Sequence, residues 1–217
     1  MITTQTARDG RTKLAVRAGV ALAALLSSAA CAPDMTPIVL SSQFTPPAGV
    51  SWPPAETMRA RDGATDAPCR VHLVDIHDLR LDPQALGSVG SRPVRATDAV
   101  AWLRSGFQSL NRSPYIRFVE GEEAGASDLS LRIELINAYV MSITHITRAA
   151  SVVLRVRYDR PGSPSDDQVY RGTHDALNWV SGDEARSSFS AALAEILGAV
   201  DRDVRARCSA SLAASGN

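Results

Sequence analysis

Leu129, Leu131, Ile133 and Leu135 alternate with Ser130, Arg132 and Glu134, the period of two that gives a strand one dry face and one wet one. The pattern continues toward Met141. Ala150, Val152, Leu154, Val156 and Tyr158 repeat it against Ser151, Arg155 and Arg157, so the two stretches predict a long antiparallel pair. A helix over residues 131–143 competes, but the period of two is cleaner. Residues 142–147 contain no Gly, Pro or Asn, and the connection between the pair is expected to project.

Residues 70–76 read as the first strand, with Val71 and Leu73 on one face and His72, Val74 and Ile76 on the other; apolar residues on both faces predict a central position. Residues 81–95, punctuated by Pro83, Gly87, Gly90 and Pro93, read as loop. Thr97 is placed to cap a helix with Asp98 in its first turn and a buried stripe of Val100, Leu103, Phe107 and Leu110, and Gly106 within it would permit close packing on the sheet. Residues 115–120 make a second strand and residues 168–171 a short last one. Ser181 and Glu184 form a capping box. It opens a long helix with Phe189, Leu193, Ile196, Val200 and Val204 on one side and Arg202, Arg205 and Arg207 near its end. The order strand, helix, strands, helix predicts an α+β fold, a mostly antiparallel four- to five-stranded sheet with two helices packed on one face.

The first thirty residues change where that domain would live. Arg8, Arg11, Lys13 and Arg17 precede an apolar run from Ala18 to Leu26, the layout of a secretory signal peptide over 1–30 and too short to span a bilayer. Residues 25–31, Leu-Leu-Ser-Ser-Ala-Ala-Cys, resemble a bacterial lipobox, with Ser28 where that motif most often has Leu. The resemblance implies that Cys31 is lipidated and becomes the mature N-terminus; ordinary cleavage near Ala30 would leave it a free thiol. Ala32 stands where lipoproteins kept at the inner membrane typically carry Asp, which implies the periplasmic face of the outer membrane.

The chain's 23 basic and 23 acidic residues balance, but the leader holds four of the former and one acid, Asp9. The mature protein is therefore acidic by about three charges, which argues against a nucleic-acid partner. Residues 31–68 are rich in Pro, Ser, Thr and Ala and read as a tether reaching on the order of 100 Å, unless residues 38–40 and 50–52, Trp52 included, pack on the domain. Residues 69–208 make one domain, and 209–217 are expected to be a disordered tail. With Cys31 lipidated, Cys69 and Cys208 remain, one at each end. In an oxidising compartment they suit a disulfide, whose loop of about 140 residues corresponds to about 4 to 5 kcal/mol of chain entropy; two unpaired buried thiols are the alternative.

Over residues 71–207 the chain resembles the small outer-membrane lipoproteins of the YajG type and, more distantly, the auxiliary lipoproteins of lipid-transporting ABC systems. The resemblance rests on Val74-Asp75, Asp78-Leu79-Arg80, Leu86-Gly87-Ser88-Val89-Gly90, Gly106-Phe107, and the run of residues 191–197 with Asp201. It implies a non-enzymatic accessory in lipid or glycolipid transport or outer-membrane assembly, partnered by an envelope protein and in some relatives a homo-oligomer.

Little in the sequence looks catalytic. His72, Asp75, His77 and Asp78 are residues that metal sites and general bases use, but on a regular strand His72 and His77 point to opposite faces. His145 and His174 fall in predicted connections, and no neighbouring base singles out Ser187, Ser188 or Ser190. There is no Gly-x-Ser-x-Gly, phosphate-binding Gly loop or Cys-x-x-Cys. No catalytic residue, metal or cofactor is assigned. Besides the transport accessory, the long arm suits a tethered regulator of a cell-wall synthase or hydrolase; a periplasmic hydrolase built on His72 or Asp75 is the weakest reading.

Overall fold

A computed structural model describes residues 36–48, 52, 69–112, 116–120, 129–144, 146–177 and 182–215, all in the unit that begins at Thr36. The leader, Cys31, His145 and Ser181 of the capping box lie outside the described residues.

The alternating segments form the predicted pair, β6 (Leu129–Ser142) and β7 (Thr147–Asp159), antiparallel over their length. β8 (Asp166–Leu177) continues the meander. It has twelve residues instead of the expected four, because an edge strand exposed on one face carries too few apolar residues to show a period. On the other side of β6, β2 (Cys69–Asp78) pairs in parallel and passes in turn to a parallel β5 (Ile116–Glu120). Helix α1 (Ala99–Ser109) lies between β2 and β5 in the chain and makes the crossover that parallel strands require.

Residues 81–95, expected to be loop, contain a hairpin of β3 (Ala85–Val89) and β4 (Arg92–Ala96). Gly90, at φ +61°, lies in its turn, and the strands bury Leu86, Val89, Val94 and Ala96. β3 meets β6 in parallel at Gly87 opposite Val140, where a Cβ would stand 2.8 Å from the Val140 carbonyl oxygen. β1 (Ile38–Leu40) completes the sheet by pairing in parallel with β4. The result is an eight-stranded mixed sheet, larger and less antiparallel than expected.

Two features join β2 to β3. Asp78 ends β2, and Arg80 grips it with two parallel bonds, Nε–Oδ1 at 2.9 Å and Nη2–Oδ2 at 2.7 Å. Arg80 also donates to the carbonyls of Ala85 and Pro83 at 3.1 and 2.5 Å. Both side chains are nearly buried, at 6 and 10 % exposure. The Asp-x-Arg of the resemblance is thus a clamp that turns the chain from the lower half of β6 to its upper half.

Both helices pack on one face of the sheet. Asp98, and not Thr97, caps α1, its Oδ1 accepting from Ala101 N at 2.8 Å. Trp102, Leu103 and Phe107 are buried in α1, as is Leu110 just after it, while Val100 is only half-buried. Helix α2 (Gly182–Ser215) buries Phe189, Leu193, Ile196, Val200 and Val204 as its periodicity predicts. Gly106 does allow close packing, but on Leu193 and Leu197 of α2 instead of the sheet. The tightest approach is at Gly172 of β8, where a Cβ would fall 1.9 Å from the Ala192 carbonyl oxygen.

The domain's ends differ from the sequence expectation. Residues 209–215, expected to be disordered, extend α2 to Ser215, so Arg202, Arg205 and Arg207 lie within the helix and not in its last turn. At the other end Ile38, Leu40 and Phe44 are buried, and Trp52 packs on Phe44 at 5.6 Å and donates to Ser109 Oγ at 2.9 Å. The folded unit therefore starts inside the presumed tether. Cys69 and Cys208 are joined by a disulfide, with Cα atoms 6.2 Å apart.

Candidate functional site

The helices cover one face of the sheet. Among the described residues the other face is open around Arg132, Arg155 and Arg157 and closed over at His72, Ala149 and Ser151, and a break in strand regularity determines what it displays. β2 shifts register between Leu73 and Asp75. Before the shift Val71 and Leu73 are buried and His72 lies opposite Ser130; after it Ile76 is buried, with Asp75 opposite Arg132 and His77 opposite Glu134. A one-residue bulge reverses which residues face the core. The expectation that His72 and His77 point to opposite faces is overturned: the register puts both on the side away from the helices, where His77 is exposed and His72 is buried at 3 % exposure. They are level with residues four apart on β6, about 13 Å at the usual rise of a strand, which is too far to share one metal. Among the described residues no group of three or more His, Cys, Asp or Glu is placed to hold a metal.

Across the open face the register sets out rows. Asp75, Arg132, Arg157 and Asp167 lie opposite one another on four successive strands, and His77, Glu134, Arg155 and Val169 form the next row. Arg157 holds Asp167 in a two-bonded pair at 2.7 and 2.9 Å, Arg155 meets Glu134 at 2.8 Å, and His77 Nε2 meets Asp75 at 2.7 Å. The hydrogen bonds and charge of Arg157 hold the Asp167 carboxyl below the usual carboxylate range, and Asp167 in turn raises the guanidinium. Arg132 is the least committed cation of the group, 60 % exposed and no nearer than 3.8 Å to Asp159. Two clefts share Arg132 and Arg157: one of about 520 Å³ lined also by Val74, Ser130, Asp159 and Ser165, and one of about 140 Å³ lined also by His77, Glu134 and Arg155. Exposed pairs of this kind add little stability, but they set a fixed pattern of charge on the face.

One contact escaped the sequence. His174 lies on β8 and not in a connection, and its Nδ1 is 3.2 Å from Ser188 Oγ. A base therefore does neighbour one of the three serines. Ser188 is fully buried and His174 exposed, and the pair ties β8 to α2.

No protein-family model matches the chain, and no curated protein matches it. Solved structures of low similarity include a Xanthomonas campestris protein described under the family DUF330, 13 % identical, covering 82 % of this chain and 99 % of that one with a TM-score of 0.48. The minor lipoprotein from Acinetobacter baumannii is 6 % identical over 63 % of this chain and 93 % of its own, TM-score 0.40. The rare lipoprotein B from Shewanella oneidensis is 10 % identical over 67 % of this chain and 93 % of its own, TM-score 0.32.

Below α2 the core holds one charged group of note. Asp201 is 1 % exposed and pairs with Arg205 at 2.9 Å. Burial raises its carboxyl, against the lowering influence of Arg205. A carboxyl raised on folding binds its proton more tightly in the folded state, so its contribution is favourable at low pH and is lost as pH rises through the folded value. Asp201→Asn is expected to be at least as stable as the wild type at pH 7 and to flatten the pH dependence of the denaturant midpoint above the ordinary carboxylate range. An unchanged pH slope in the variant would refute this assignment.

Proposed function

We propose that the mature chain is a non-enzymatic, lipid-anchored module of the bacterial envelope that works close to its own membrane and docks on a protein partner through the open, arginine-bearing sheet face. The observation that carries this reading is the position of β1. Ile38 enters the sheet only seven residues after Cys31, and at 3.3–3.6 Å per residue that arm spans about 25 Å at most. The long reach that favoured a regulator of cell-wall enzymes loses its support, since Phe44 and Trp52 are also held on the domain. No helix among the described residues is long and apolar enough to cross a membrane, and a lipid on Cys31 would supply the attachment. The YajG-type and ABC-auxiliary resemblance supports a partner from lipid transport or outer-membrane assembly, and Ala32, where inner-membrane lipoproteins typically carry Asp, supports an anchor in the outer membrane, facing the periplasm.

Photo-crosslinking in the native envelope tests this reading. A crosslinker replacing Arg132 or Val169 is expected to capture one partner, and one replacing Arg202, exposed on α2, is not. An ABC permease, a lipid-transfer protein or an assembly barrel as that partner supports the transport reading. A peptidoglycan synthase or hydrolase replaces it with the regulator. Capture from Arg202 alone refutes the docking face.

A further inference from the structure

Of the eight large apolar residues exposed among the described residues, Val39, Leu79, Leu81 and Val169 stand apart and the other four cluster. Met141, Ile143, Ile146 and Leu177 are 42, 51, 59 and 65 % exposed, and all four stand at one end of the sheet: at the end of β6, in the turn beyond it, and at the end of β8, where Leu177 pairs with Thr147 of β7. The hairpin does not project beyond its neighbours, since Leu177 pairs with Thr147 and Val89 lies level with Ser142; among the described residues only Ile143, Thr144 and Ile146 extend past the paired strands. Its turn is closed by Thr144, whose Oγ1 accepts from the backbone of Ile146 and Thr147, and by the Ile143 amide donating to the Thr147 carbonyl at 2.9 Å. Ile143 and Ile146 are thus held outward by a bonded turn instead of folding back onto the core.

The strand registers locate the start of the domain at this same end. Gly87 of β3 lies level with Val140 in parallel, and Val89 pairs with Arg92 of the antiparallel β4. Ile38 pairs with Val94 of β4 in parallel, and Arg92 Nε donates to the Thr36 carbonyl at 3.1 Å. Thr36 therefore enters about level with Ser142, three strand spacings to the side, roughly 15 Å from the hairpin. Thr36 is the fifth residue after Cys31, at most about 18 Å of chain away. The Cys69–Cys208 disulfide stands at the opposite end, where β2 begins.

We infer that Met141, Ile143, Ile146 and Leu177 form a second membrane contact, the hairpin tip entering the lipid interface beside the acyl chains on Cys31. The inference rests on the proposed lipidation. A single weak interfacial contact gains most when it is linked to another on a short connection, because the second binding event then takes place at high effective concentration. Arg92 and Arg148 at this end suit anionic headgroups, but Asp175 and Asp183 stand there too, so the apolar residues and not net charge carry the inference.

With Cys31 lipidated and Cys69 bonded to Cys208, an introduced cysteine is the only free thiol, and a nitroxide on it reports depth. The full lipidated chain is reconstituted in phosphatidylethanolamine–phosphatidylglycerol vesicles with the label at Ile146→Cys or, as a control toward the other end of β8, at Val169→Cys. The tip label is expected to be reached by oxygen and shielded from a water-soluble nickel chelate, the control label the reverse, and Ile143→Asp to return the tip label to water. A mass measurement of the N-terminal peptide runs alongside. A lipidated chain whose tip label stays in water overturns the second contact and leaves the proposed function standing, whereas an unlipidated N-terminus overturns both. Shielding in native envelopes but not in the pure vesicles makes the tip a protein contact and also overturns the inference.

Discussion

Arg80→Ala is expected to lower stability by about 3–5 kcal/mol, the usual cost of removing one partner from a buried ion pair. The residue left behind, Asp78, is 10 % exposed and would have no cation against it, while the Ala85 and Pro83 carbonyls lose their donor. Lysine cannot rescue the site, because one ammonium cannot make the fork to Asp78 and also reach two carbonyls. Denaturant midpoints of the mature chain measure the effect. The double variant Asp78→Leu/Arg80→Met separates its two components. If the ion pair were the whole of it, this apolar pair would recover most of the loss; since Arg80 also fastens the loop into β3, recovery is expected to be partial. A loss below about 1 kcal/mol in Arg80→Ala would mean that the pair is solvated in solution and the clamp is not structural.

Gly172→Ala is expected to be of similar or greater severity, above about 3 kcal/mol, beyond the usual range for overpacking. The added methyl would meet the Ala192 backbone carbonyl at 1.9 Å, so relief requires α2 to lift off β8, and lifting it would open the buried contacts of Ile196 and its neighbours. Gly106→Ala is the informative contrast. Its methyl would meet the ends of Leu193 and Leu197 at 3.0 and 3.2 Å, flexible side chains that can rotate away, and its cost is expected to stay within about 1 kcal/mol. Thermal or denaturant unfolding of the two variants side by side decides it. Equal effects would show that α2 can shift as easily as two leucine side chains.

These sites show where the sequence was legible. The core face of β6 and β7 and the apolar side of α2 follow from periodicity alone, because a half-buried strand and an amphipathic helix each carry a period that burial imposes. β3 and β4 could not be read, since five-residue strands with Gly87, Gly90 and Pro93 among them show turn chemistry more strongly than alternation. β1 was hidden by the prolines around it. The open-face site was misread for a different reason. Val71 and Leu73 are in one phase and Ile76 in the other, and that break was itself the mark of a bulge; Leu135 and Ala138 show the same break where β6 shifts register. Read as a fault in the period instead of apolarity on both faces, it would have put His72, Asp75 and His77 on one face of the sheet.

The strand order also bears on how the chain folds as it is made. β6, β7 and β8 find their partners next to them in sequence and can pair as soon as they appear, whereas Val71 of β2 must wait for Phe118 and Leu129, and β1 for Val94. Synthesis runs from the N-terminus, so both waiting strands are made first and have the longest time with Ile38, Leu40, Val71 and Leu73 uncovered. Pairings of such sequence separation close slowly. The strand that ends between β5 and β6 is one of the earliest to appear and among the last to be satisfied, and it is there that a nascent chain of this fold is most exposed to aggregation.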